Sequence, residues 1–237
     1  MSVIPDSGRS AEDALQRLKA GNARFVAGTA RFPTVQKEIL AELTKGQNPY
    51  ATILSCSDSR VPPELIFDVG LGELFVIRVA GNVLSPEIAG SLQYAGWHLH
   101  TLLFVVLGHT NCGAVAAAIE TRLRGTRQHS RIQLLVECIL PGLEDVDPQL
   151  TPEAMLAQAV EANVRWTMRQ ILETPEGREP DGRERQTSRR DLRNRNGPRS
   201  VSRMRGKRFA RAAQYPPPQR YCHAMPKAWK SCSRCVL

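Results

Sequence analysis

Apolar positions along the chain change period after the first quarter. Ala11, Ala14, Leu15, Leu18 and Phe25 recur at helical spacing, with Ser10 placed to cap the run and Gly28 to end it, which predicts a helix over residues 11–27. Further on, short and nearly unbroken apolar runs at residues 51–56, 74–80 and 102–107 predict three strands. Helical patterns follow at residues 86–99, 114–124, 132–140 and 152–172. Continuous apolar strands alternating with helices predict an α/β fold: a central, mostly parallel β-sheet flanked by α-helices on both faces, preceded by an N-terminal helical arm. In such sheets the loops at the carboxyl ends of the strands can present side chains without disturbing the core, so chemistry gathers there.

The first strand ends in Cys56-Ser57-Asp58-Ser59-Arg60 and the third in Gly108-His109-Thr110-Asn111-Cys112-Gly113. A lone buried cysteine or strand histidine is ordinarily inert packing. Brought together from neighbouring strand ends, Cys56, His109 and Cys112 form a Cys2His set suited to a borderline-soft tetrahedral ion such as zinc. Three protein ligands leave a fourth position for water, as a catalytic site requires; a purely structural zinc is the competing reading. Asp58 is near enough along the chain to reach that position. Arg60, two residues on in an extended segment, points to the same side and can hold the carboxylate away from the metal. Gly108 and Gly113 give the backbone room to bend round an ion. Val61 and Phe75 are candidates for a dry wall beside the site, with ordinary core packing as their alternative.

Composition adds a division of the chain. Its 237 residues suit one domain with an appendage, and the net charge is +9. Residues 1–174 carry 15 Lys and Arg against 18 Asp and Glu, whereas residues 175–237 carry 17 against 5. The basic character therefore belongs to the tail. Cys56, Cys112 and Cys138 lie in the body and Cys222, Cys232 and Cys235 in the tail, a distribution that points to free or metal-bound thiolates in a cytoplasmic protein. No run approaches the roughly 20 apolar residues of a membrane helix, and Asp6, Arg9, Glu12 and Asp13 do not form an export signal.

The two strand-end motifs together resemble those of the β-class carbonic anhydrases. Gly21-Asn22-Ala23-Arg24-Phe25, Gly46-Gln47-Asn48-Pro49, Arg78-Val79-Ala80-Gly81-Asn82, Gly90-Ser91-Leu92-Gln93-Tyr94-Ala95 and Glu161-Ala162-Asn163-Val164 extend the resemblance from about residue 10 to about residue 175. It implies one zinc ion per chain held by Cys56, His109 and Cys112, with Asp58 and Arg60 as the catalytic pair that gates the fourth position. It also implies reversible hydration of carbon dioxide to bicarbonate and a proton by zinc-bound hydroxide. Gln47 matches the glutamine that hydrogen-bonds substrate in the plant-like subtype. The other subtype carries a tryptophan three residues before the first cysteine, where this chain has Ile53, which argues against a bicarbonate store built on Arg78. The implied partners are carbon dioxide and bicarbonate and further copies of the chain, as a homodimer or a multiple of dimers, without membrane or nucleic acid. Two alternatives remain: a hydrolase of another small linear substrate such as carbon disulfide, and a non-catalytic zinc protein whose basic tail binds nucleic acid.

The resemblance divides the chain into a zinc-binding domain over residues 1–175 and a basic tail over residues 176–237. Members of the family continue into a last strand of the type Leu-Val-Gly-Ala-Ile-Tyr and a Thr-Gly turn. Here residues 183–211 are arginine-rich without apolar periodicity and Pro216-Pro217-Pro218 follows, a composition that cannot bury a core and reads as disordered. A nucleic-acid-binding arm or a second zinc site from Cys222, His223, Cys232 and Cys235 are functional readings of the tail. A shifted reading frame explains more. With permitted codons, residues 186–201 read from the second base as Arg-Leu-Val-Gly-Ala-Ile-Tyr-Glu-Ile-Glu-Thr-Gly-Arg-Val-Arg, which resembles the missing terminus. DNA sequencing across codons 173–181, set beside the genes of close relatives, is expected to reveal a single insertion or deletion. An uninterrupted frame shared by those genes would overturn the idea.

Overall fold

The structure, a computed structural model, describes residues 10–31, 37–174 and the pair 235–236. Its centre is β1 (Ala51–Ser55), paired in parallel with β2 (Leu74–Arg78) on one side and β3 (Leu103–His109) on the other. All five residues of β1 are buried, as a central strand covered on both faces demands. A two-residue strand, β4 (Cys235–Val236), pairs antiparallel with Gly108 and His109, giving the order β2-β1-β3-β4. The mostly parallel sheet expected from the apolar runs is the sheet observed. Apart from β4, the expectations for the tail, its disorder and its second zinc site among them, lie outside the described residues.

Helices cover the sheet as α1 (Ala11–Val26), α4 (Pro86–Trp97), α5 (Gly113–Arg124), α6 (Ser130–Ile139) and α7 (Pro152–Glu173). Ser10 caps α1 by accepting from the Asp13 N–H. Two short helices, α2 (Lys37–Leu43) and α3 (Pro63–Ile66), were not legible in the sequence, being too brief for a helical period to register. On one face of the sheet Ala14 and Leu18 of α1 pack with Ile53, Phe67, Leu103 and Leu107. On the other, Leu54, Ile77 and Val106 meet Leu92 of α4 and Val164 and Ile171 of α7. A third group, formed by α5, α6 and α7, closes over the carboxyl edge of the sheet.

The N-terminal arm is locked to the segment that follows β1. Asn22 donates to the Ile66 carbonyl at 3.2 Å, and Arg24 pairs with the fully buried Asp68 at 2.5 Å. Arg31 reaches the same carboxylate through its backbone N–H at 2.8 Å and its side chain at 3.3 Å. Asp68 is thus paired and hydrogen-bonded from two directions, as a buried carboxyl group requires. Close approach at this contact depends on Gly21: a Cβ there would stand 1.7 Å from the Phe67 carbonyl oxygen. Gly21→Ala is therefore expected to destabilise the fold by about 3 kcal/mol, since backbone cannot yield as a side-chain tip can. Gly90→Ala in α4, where a Cβ meets nothing within 4 Å, is expected to be neutral or stabilising by up to about 1 kcal/mol. Urea unfolding of the two variants checks the contrast.

Candidate metal centre

Parallel pairing places Ser55 opposite Leu107. Cys56, the residue after β1, thereby comes beside the end of β3, where His109 is the last strand residue. Cys112 follows after a tight turn, aided by Asn111 at φ 56°, and caps the start of α5. Their potential ligand atoms all lie within 4.8 Å of one another, and all three residues are buried. The two sulfurs are 4.0 Å apart and both cysteines are free. The sequence-level grouping of Cys56, His109 and Cys112 is thus a spatial cluster.

Several features of this cluster suit a cation. His109 Nδ1 lies 2.9 Å from the Thr110 carbonyl, which can only accept, so Nδ1 donates there, and in the neutral ring Nε2 bears the lone pair. That Nε2 is buried without a hydrogen-bond partner, an orphaned acceptor of the kind a metal satisfies. The hydrogen bond from the Cys112 thiol, supported by the neighbouring His109 ring and by backbone N–H groups, that of Gly81 at 3.4 Å among them, holds Cys56 below the ordinary thiol range against its burial. Cys112 is pushed up by the same partnership and by burial, although the N–H groups at the start of α5 favour its thiolate. The donor set of two thiolates and one imidazole fits zinc.

Asp58 stands at the rim, its Oδ2 3.9 Å from His109 Nε2. Arg60 grips it with Nε on Oδ1 and a terminal nitrogen on Oδ2, both at 2.8 Å, and with its backbone N–H at 3.0 Å. This bidentate pair holds the Asp58 carboxyl far below the usual carboxylate range. The segment is a turn, closed by the Val61 N–H on the Asp58 carbonyl at 3.2 Å, rather than the extended run expected. A turn brings both side chains onto one side as effectively as strand alternation does. Arg60 also donates to the Asn111 carbonyl at 3.3 Å and so ties the two strand-end loops together.

Other sequence expectations are redistributed. Gln47 is exposed in the loop entering β1 at the amino edge of the sheet, whereas the cluster occupies the carboxyl edge beyond about 16 Å of extended strand. The structure does not bring it to the cluster. Val61 belongs to the core beneath α1, and Phe75 packs against Tyr94 with ring centroids 6.0 Å apart. The apolar side chains grouped with the two cysteines are instead Val83, Val115, Ile139 and Val160. Gly108 makes room for α7 rather than for an ion, because a Cβ there would stand 2.7 Å from Val164 Cγ2; at Gly113 it would meet nothing within 4 Å. Sequence reading assigned no such task to Arg78. Its guanidinium donates to the carbonyls of Cys56 at 3.1 Å and Asp58 at 2.5 Å, pinning the first loop.

A parallel α/β sheet with a Cys2His cluster at the carboxyl edge of two adjacent strands defines an α/β protein with a donor set that could hold a metal ion. The carbonic anhydrase family model matches residues 51–184, more than half of the sequence, and the chain belongs to that family. Carbonic anhydrase 2 of Mycobacterium tuberculosis is 45% identical over 130 residues, covering 55% of this chain and 63% of that protein. The carbonic anhydrase of Mycolicibacterium smegmatis is 43% identical over the same length and shares. The chain thus spans somewhat under two thirds of the curated relatives it matches. The solved β-carbonic anhydrase CcaA superposes with a TM-score of 0.50 at 26% identity, over 68% of this chain and 75% of that one. A tetrameric β-carbonic anhydrase of Sordaria macrospora shares the fold, with a TM-score of 0.55 at 22% identity over 70% and 84%. These likenesses place the chain in the β class. Among the described residues no helix is long and apolar enough to cross a membrane.

Proposed function

We propose that this chain hydrates carbon dioxide reversibly to bicarbonate and a proton, with zinc held by Cys56, His109 and Cys112. The observation that carries the reading is the convergence of the three buried donors, one of them the orphaned His109 Nε2. Zinc bound there supplies a Lewis acid that lowers the pKa of a water from 15.7 to about 7.

The chain's own residues then orient the reactants. Asp58, kept ionised by Arg60, can only accept a hydrogen bond. A water beside the cluster therefore directs its O–H at Asp58 Oδ2 and turns a lone pair towards the substrate carbon. Arg60 prevents the carboxylate from swinging onto the donors, and Arg78 holds the carbonyls on either side of the same turn. Attack on carbon opens one C=O bond, the oxygen takes the negative charge, and the water's proton passes to solvent. The apolar side chains around the cysteines suit a nonpolar substrate.

The plant-like subtype belongs to the same reading. Ile53 is fully buried in the core and Arg78 is engaged with backbone carbonyls, which supports the absence of a bicarbonate store there. Gln47, separated from its own cluster by β1, serves as a substrate hydrogen-bonding residue in the site of a second copy. The assembly is accordingly a dimer or a multiple of dimers. Residues 1–175 form the zinc-binding domain and residues 176–237 the basic tail.

Purified chain is expected to carry about one zinc ion and to hydrate carbon dioxide in a stopped-flow indicator assay, with activity lost on chelation and restored by zinc. Zinc without hydration, or turnover of carbon disulfide in its place, would overturn the assignment. Asp58→Ala is expected to retain its zinc while losing roughly 10²-fold or more in kcat, measured by the same assay with metal analysis. Full activity in that variant would remove Asp58 from the mechanism.

A further inference from the structure

Two polar side chains on α7 are buried where the helix faces the sheet, Asn163 and Thr167, each 1% exposed. They are four residues apart and so lie on one helical face, among the apolar Val160, Val164 and Ile171. Burial of an amide and a hydroxyl on such a face is unfavourable unless their hydrogen bonds accomplish something an apolar side chain could not.

Both bonds converge on one turn. Asn163 Nδ2 donates to the Gly81 carbonyl at 2.8 Å, and Thr167 Oγ1 donates to the Asn82 carbonyl at 3.2 Å. The turn, Ala80–Asn82, lies just beyond the carboxyl end of β2. Gly81 has φ 72° and Asn82 φ 45°, successive residues in the left-handed region that a free chain visits rarely. Gly81 is doubly constrained, since a Cβ would also stand 2.8 Å from Ile139 Cδ1. Asn163 Oδ1 is left buried without a partner, so the amide is placed for its donor alone. From this turn the Gly81 N–H reaches Cys56 Sγ at 3.4 Å.

We infer that Asn163 and Thr167 are positioning residues for the metal centre, which lock the Gly81–Asn82 turn so that the Gly81 N–H donates to the Cys56 sulfur. Two sulfurs 4.0 Å apart repel when both are charged, and an N–H aimed at one withdraws part of that charge before a cation arrives. α7 thereby sets how strongly Cys56 binds metal without touching it, in the manner of outer partners whose loss weakens metal binding 10- to 100-fold. The inference rests on the reading of Cys56 as a metal ligand.

The test uses the full chain and cobalt(II), following affinity by competition with a chromophoric chelator and the thiolate-to-cobalt band in the near ultraviolet. Asn163→Leu, close in shape but without a donor, is expected to weaken cobalt binding by about tenfold or more and to shift the band. Ile171→Ala, one turn beyond Thr167 on α7 and without a bond to the Ala80–Asn82 turn, is expected to lower the unfolding temperature while leaving affinity and band as in the parent. Thr167→Val and Thr167→Ser form a second comparison should Asn163→Leu not fold: valine weakens binding and serine restores it. Parent-like affinity and band in folded Asn163→Leu, equal losses in Ile171→Ala, or equal binding by the Thr167 pair would overturn the inference alone. A parent chain that binds no cobalt would overturn the metal reading and the inference with it.

Discussion

Parallel pairing of β1 with β3, in the register that sets Ser55 beside Leu107, is the constraint from which the candidate centre follows. Cys56 and His109 are 53 positions apart in the chain, and only this register makes the ends of their strands neighbours. A slip of one residue would send each inward side chain to the opposite face of the sheet. Burial of all of β1 opposes such a slip, because Ile53 fits the core under α1 while Leu54 fits the core under α4 and α7. The same hydrophobic burial that stabilises the sheet therefore brings the sulfur and imidazole donors together.

The centre is buried, and this shapes its electrostatics. Cys56 and Cys112 pack with aliphatic residues from α5, α6 and α7, so the pair cannot carry two negative charges unaided. Backbone groups supply part of the compensation, from the start of α5 towards Cys112 and from Gly81 towards Cys56. Arginines stabilise the rim differently. Arg60 and Arg78 donate mainly to a carboxylate and to carbonyls of the two strand-end loops, and convert flexible turns into fixed ones. On the far side of the first loop, Asp68 joins α1 to the segment after α3, so the arm braces the loop that carries Cys56 and Asp58.

Much of this was legible from local pattern. Three unbroken apolar runs gave the strands to within two residues or so, and the spacing of Ala11, Leu15 and Leu18 gave α1. α2 and α3 escaped because seven and four residues hold too little of a helical period. Gly108 was read as room for an ion, whereas its missing Cβ admits Val164. That contact joins residues 56 apart, which no local window could reveal. For Val61 and Phe75 the core packing weighed against a place beside the site is what the structure shows, and position along the chain does not say which core a side chain enters.

Sequence by itself determined the donor chemistry, the strand-and-helix alternation and the family, because these depend on residue types and short spacings that local forces translate directly. Tertiary structure decided which groups act together. It separated Gln47 from the cluster by the length of β1, turned the His109 lone pair inward, and placed Asn163 and Thr167 of α7 over the turn that faces Cys56. Those relations depend on how layers pack across the sheet, and packing is a property of surfaces brought together rather than of neighbours along the chain.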